Sequence, residues 1–125
     1  MSTQIDSLDH VTIITNNMKS TMHFYLNIIG LKTDTSRPPF KFNGAWLSVN
    51  NRAIIHIIEK TDHVDHQNSP TLDHIALRVN NIDLLKNKLL ENKIEFYEQK
   101  TPDDKFHQVF IKDPNGIKIE LSKPI

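Results

Sequence analysis

The stretch Leu8-Asp9-His10-Val11-Thr12-Ile13-Ile14-Thr15 returns 64 residues later as Leu72-Asp73-His74-Ile75-Ala76-Leu77-Arg78-Val79, and each copy runs into an Asn-Asn pair, Asn16-Asn17 and Asn80-Asn81. Both copies alternate as a strand does, with one histidine on the face opposite the larger aliphatics. Self-similarity at a fixed offset is the mark of a repeated structural module. A chain of 125 residues holds two such modules and little else. A module of about 60 residues is marginal alone. The two are therefore expected to make one domain over 1–125, with module one at about 7–60, a linker at 61–71 and module two at about 72–123.

The elements follow from local pattern. After the strand Leu8–Thr15, Asn17 reads as an N-cap, Met18, Met22, Tyr25 and Ile29 recur at helical spacing, and Gly30 stands where a left-handed cap is needed. Leu31–Asp34 reads as a short strand and Ser36–Gly44 as a loop. Ala45–Val49 and Arg52–Ile58 form a hairpin around Asn50-Asn51. The second copy repeats the order. A helix carries Ile82, Leu85 and Leu89, Ile94–Glu98 is a strand, and Phe106–Lys112 with Ile117–Ser122 closes around Asp113-Pro114-Asn115-Gly116. The same offset carries Met18 onto Ile82 and the turn Val49–Arg52 onto Asp113–Gly116, so the hairpins are expected to superpose without a gap. The fold class is α+β: βαβββ twice, as a curved mixed sheet with the helices on its outer face.

Fifteen basic and fifteen acidic side chains cancel, and neither sign forms a block, so the footprint of a nucleic-acid binder is missing. No cysteine is present, which removes disulfides, thiolate metal sites and a cysteine nucleophile. No apolar run approaches the roughly 18 residues that a membrane span needs, and Met1–Ser7 lacks the pattern of a signal peptide. A cytoplasmic protein acting on a small molecule is the expectation.

The offset also locates chemistry. It pairs His10 with His74 and His56 with Glu120, each on the strand face away from the helix-facing aliphatics. Modules related by a pseudo-twofold axis would bring these four together. Imidazoles plus one carboxylate suit a divalent metal with positions left open for substrate. Trp46, Phe106 and Phe110 share that face, as walls for an apolar substrate or as plain filling. Gln108 and Lys118 share it too. Arg37 and Arg78 can grip a carboxylate or phosphate in a bidentate way, with a surface ion pair as the plainer role. Phe40 and Phe42 form a lid or an anchor. His23, His63, His66 and His107 are read as structural or exposed.

These features resemble the vicinal oxygen chelate superfamily, also called the glyoxalase, bleomycin-resistance and extradiol dioxygenase superfamily. The resemblance runs from Leu8 to Ser122 and rests on Leu8-Asp9-His10 followed by Phe24-Tyr25 and Ile29-Gly30-Leu31, on Leu72-Asp73-His74, and on Asp113-Pro114-Asn115-Gly116 leading into Ile119-Glu120-Leu121. It implies paired βαβββ modules around a divalent metal (Zn, Ni, Co, Mn or Fe) held by His10, His74 and Glu120. His56 is then a fourth ligand, a base or a lining residue. The activity implied is of the glyoxalase type, a lyase or isomerase that chelates vicinal oxygens of a small substrate and stabilises an enediolate-like intermediate, with Glu120 or His56 moving the proton. An Fe(II) extradiol-type dioxygenase and a metal-free drug- or metabolite-binding resistance protein are the alternatives. The resemblance also implies a homodimer, with each site built from one chain or from two.

Overall fold

Alternating Val11–Thr15 becomes strand β1, which buries Ile13 and Thr15 on one side. Asn17 caps helix α1 (Met18–His23) by accepting a hydrogen bond from the Ser20 amide. The chain then widens into a π-helical segment, Phe24–Ile29, closed by Gly30 at φ 92°. Strands β2 (Lys32–Thr33), β3 (Gly44–Val49) and β4 (Arg52–Glu59) complete the first half. The second half runs β5 (His74–Arg78), α2 (Ile82–Glu91), β6 (Tyr97–Lys100), β7 (Phe106–Lys112) and β8 (Lys118–Pro124). The computed structural model describes residues 4, 7–64 and 70–125. His66 of the linker lies outside the described residues.

The chain divides into two compact units, Met1–His63 and Val64–Ile125. Each has its own mixed four-stranded sheet, ordered β1-β4-β3-β2 in the first and β5-β8-β7-β6 in the second. In both, the first strand lies parallel to the last strand of the unit, and the other neighbours are antiparallel. This is the expected βαβββ order, twice. Among the described residues no helix is long and apolar enough to cross a membrane.

The helix of the first unit departs from expectation. Its buried residues are Thr21, Phe24, Tyr25 and Ile28, while Met18, Met22 and Ile29 are only half-buried. Thr21, Phe24 and Ile28 follow ordinary helical spacing on a stripe one residue before the expected one, and the π segment closes it with the amides of Gly30 and Leu31 both bonded to the Tyr25 carbonyl. With Ile13, Leu31, Ala45, Leu47, Ile55 and Ile57 these side chains make the core of this unit. In the second unit Ile82, Leu85 and Leu89 are buried as expected, together with Val109, Ile111, Ile119 and Leu121. Strand β6 begins at Tyr97, later than the apolar pattern of Ile94 and Phe96 suggests.

The two hairpins are not identical. Asn50 and Asn51 both hold positive φ, 51° and 61°, in a two-residue turn, and the β3–β4 register then skips Ile54. The β7–β8 register is unbroken and closes over a longer turn, in which Asp113 Oδ1 accepts from the amides of Asn115 and Ile117. Beyond the irregularity the 64-residue offset holds, since Trp46 faces His56 as Phe110 faces Glu120.

Gly44 opens β3 where no side chain fits. A Cβ there would stand 2.3 Å from the Ile57 carbonyl oxygen and 3.1 Å from Arg37 Nη2. Gly44→Ala should therefore cost about 1–3 kcal/mol through a forced backbone shift. A urea midpoint equal to that of the wild type would contradict this.

Candidate functional site

In the second unit the start of β5 meets the middle of β8. Ala76 lies opposite Glu120 in the parallel pair, which leaves His74 close enough for its Nε2 to stand 3.2 Å from Glu120 Oε1. The Glu120 side chain is only 12% exposed. The other imidazole nitrogen, Nδ1, lies 2.8 Å from Asp73 Oδ2, an oxygen that also accepts from Lys118 Nζ at 3.2 Å. The hydrogen bond from His74, and then Lys118, hold the Asp73 carboxyl below the usual carboxylate range. An ionised carboxylate only accepts, so His74 Nδ1 carries the proton and, in the neutral ring, Nε2 carries the lone pair. That lone pair faces another acceptor, Glu120 Oε1. Two acceptors at this distance require a proton or a cation between them.

Further side chains complete the surroundings. Gln108 Nε2 donates to Glu120 Oε2 at 3.2 Å, and the Phe110 ring meets His74 edge-on with centroids 6.4 Å apart. A cavity of about 770 Å³, lined among others by Phe96, Tyr97, Gln99 and Lys112, meets this cluster at Phe110 and Lys118, while His74, Gln108 and Glu120 do not line it. Its size suits a small molecule. Arg78 sits further along β5, its guanidinium over the Phe106 ring at 5.8 Å. His107 bonds Glu98, which also pairs with Lys86, in keeping with a structural role.

The first unit holds a different arrangement. His10 Nδ1 lies 2.7 Å from Asp9 Oδ1, repeating the Asp73–His74 contact, and the His10 hydrogen bond again lowers the carboxyl's pKa. The His10 ring stacks on His56 with centroids 3.7 Å apart and 13° between planes. His56 stacks in turn on Trp46 at 4.0 Å and 10°. A ring-nitrogen lone pair lies in its ring plane, so this near-parallel stack aims His10 and His56 along separate planes rather than at one point. Arg37 is taken up by its own loop: it donates to the Phe42 carbonyl and lies over the stacked rings of Phe40 and Phe42.

Among the described residues no group of three or more His, Cys, Asp or Glu side chains gathers tightly enough to hold a metal ion. The expected ligands thus appear as the pair His74–Glu120 and, in the other unit, His10. The pair itself fits a metal: bonds of about 2.0–2.2 Å at angles between square and tetrahedral span roughly 2.9–3.5 Å from donor to donor. Asp9 and Asp73, absent from the sequence-derived site, hold the outer nitrogens of the two histidines as outer-shell carboxylates do in metal centres. Their signal was in the repeated Asp-His dipeptide itself.

Burial, and then His10, hold His56 below its ordinary value of 6.5. The unfolded chain takes up this proton more readily than the folded one, so stability rises with pH through the window that ends near 6.5. His56→Phe should flatten that rise in denaturation midpoints of metal-free protein taken between about pH 5 and 8.

The family model of the glyoxalase/bleomycin resistance protein/dioxygenase superfamily matches residues 7–121. The chain belongs to this superfamily. Solved structures agree on the fold. A Bacillus anthracis protein assigned to the glyoxalase family superposes with a TM-score of 0.80 at 24% identity, covering 100% of both chains. A glyoxylase/bleomycin resistance protein/dioxygenase domain from Frankia sp. EAN1pec gives 0.80 at 18% identity, covering 98% of this chain and 100% of the other. The genomically encoded fosfomycin resistance protein FosX of Listeria monocytogenes gives 0.75 at 20%, covering 96% and 94%. In this glyoxalase-superfamily chain, then, both repeated histidines present one nitrogen and have the other engaged by the preceding aspartate.

Proposed function

We propose that this protein is a divalent-metal-dependent enzyme of the glyoxalase type, acting as a lyase or isomerase on a small substrate with two neighbouring oxygens. One observation carries the reading: His74 Nε2 and Glu120 Oε1 face each other at 3.2 Å while Asp73 occupies Nδ1. The family resemblance of the sequence motifs around His74 and Glu120 supports the same reading. His74 and Glu120 hold the ion, with His10 as the third protein ligand that the family resemblance implies. When bound, the ion supplies Lewis-acid stabilisation of negative charge developing on the substrate oxygens.

The chain's own residues do the rest. Asp73 keeps the His74 proton on Nδ1, so that Nε2 stays a donor of electrons. Gln108 holds one oxygen of Glu120. Phe110 and Tyr97 line the cavity and favour an apolar or aromatic substrate body. His56 is clamped between Trp46 and His10, and burial, then His10, lower its pKa, which favours the neutral imidazole as a proton acceptor. We take the working form to be a homodimer in the cytoplasm.

The test is calorimetric titration of the metal-free chain with Zn, Ni, Co, Mn and Fe(II), followed by assays with and without oxygen. Tight binding of any of the first four, with turnover and no oxygen uptake, is expected. Oxygen uptake on a catechol with Fe(II) would replace the reading by an extradiol dioxygenase. No binding of any ion would replace it by a binding protein of the resistance type.

A further inference from the structure

Four side chains on one face of the second sheet form a single directed hydrogen-bond chain. The Tyr97 hydroxyl donates to Gln99 Oε1 at 3.1 Å, Gln99 Nε2 donates to Gln108 Oε1 at 2.9 Å, and Gln108 Nε2 donates to Glu120 Oε2 at 3.2 Å. The backbone sets this up: Gln99 lies directly opposite Gln108 across β6 and β7, and Gln108 is two residues from Phe110, the partner of Glu120 across β7 and β8. The direction is forced from the inner end. A carboxylate can only accept, so Gln108 must turn its amide nitrogen to Glu120 and its oxygen outward, which in turn makes Gln99 the donor and Tyr97 the first hydroxyl. Each amide polarises the next in the same sense.

We infer that Gln108, Gln99 and Tyr97 are positioning residues, an amide relay that ties down Glu120 Oε2 and so presents Oε1 beside His74 Nε2. The repeat offers a comparison. The position equivalent to Gln108 in the first unit is Gly44, and the position equivalent to Glu120 is His56. The β3–β4 ladder forms there without any such chain, while β2 ends at Thr33, opposite Leu47, and does not reach Gly44. The relay occurs in the unit that has a carboxylate to orient. Its outer members, Tyr97 and Gln99, line the cavity.

The inference rests on the metal reading for its purpose and on the hydrogen bonds for its existence, and the experiment separates the two. The full chain is compared with Gln108→Met, Gln99→Met and Tyr97→Phe. In metal-free protein the ¹³C signal of the Glu120 side-chain carboxyl is followed. Gln99→Met should move it although Gln99 does not touch Glu120, and Tyr97→Phe should move it less. An unmoved signal in Gln99→Met overturns the relay. Co(II) affinity is then titrated with its visible absorption, and Gln108→Met should bind about 10–100-fold more weakly with an altered ligand-field spectrum, while metal-free melting stays that of the wild type. Equal Co(II) affinity in wild type and Gln108→Met overturns the positioning role. A wild type that takes up no Co(II) overturns the metal reading and, with it, a metal-directed role for the relay, while the carboxyl signal alone still decides whether the relay exists.

Discussion

Glu120→Ala and His74→Ala should each weaken divalent-metal binding by more than about 100-fold, beyond the tenfold to hundredfold that loss of an outer hydrogen-bond partner costs. Each substitution leaves a polar group without its partner. With Glu120 gone, His74 Nε2 loses the carboxylate that faces it, Gln108 loses its acceptor, and the anionic oxygen that would neutralise the ion is lost. With His74 gone, the Asp73 carboxylate is left with Lys118. Neither change removes a core contact, so both variants should fold. Calorimetric titration beside circular dichroism decides the matter, and wild-type affinity in either folded variant would end the metal assignment at these residues.

Leu121→Ala should cost about 2–5 kcal/mol. Leu121 is 1% exposed and lies between Leu77 of β5 and Val109 of β7, with neighbours fixed on both sides by strand pairing. A cavity there has little room to collapse. For a domain whose whole stability is about 5–15 kcal/mol, this is a large part of the total. Because Leu121 adjoins Glu120 on the same strand, the substitution should also loosen the His74–Glu120 pair, so metal affinity should fall with the denaturation midpoint. An unfolding free energy within about 1 kcal/mol of the wild type would show that the site strand is held by something other than this packing.

How far the sequence reveals this molecule depends on how local each cause is. The N-caps at Asn17 and Asn81, the left-handed Gly30 and the inward stripe Ile82-Leu85-Leu89 depend on a few neighbouring residues, and they were legible. The repeat carried His10, His74, His56 and Glu120 to the correct strand face because alternation is a property of the strand itself. The π segment was not legible, since its wider hydrogen bonding is settled by how Phe24, Tyr25 and Ile28 pack. The limits of β6 are not legible either, since Ile94 and Phe96 carry a strand pattern but lie before it, and Gln99, which pairs with Gln108, falls beyond that pattern. Parity also tells which face a ring occupies, not what it touches. It grouped His56 with the metal-type residues, whereas its contacts are the flat faces of His10 and Trp46.

Trp46 opposite His56 and Phe110 opposite Glu120 occupy matching slots in two copies of one backbone, and neither His56 nor Glu120 helps to fill the cores made by Leu47, Ile55 and Ile57 or by Val109, Ile119 and Leu121. Inheritance of the scaffold is thereby uncoupled from inheritance of the reagent. A substitution at either slot can exchange an imidazole for a carboxylate, a neutral acceptor for an anion, while the aliphatic contacts of the cores keep their partners. The duplicated sheet is in this sense a socket with two interchangeable contacts, and selection for a new substrate can try one of them while the other preserves the old chemistry.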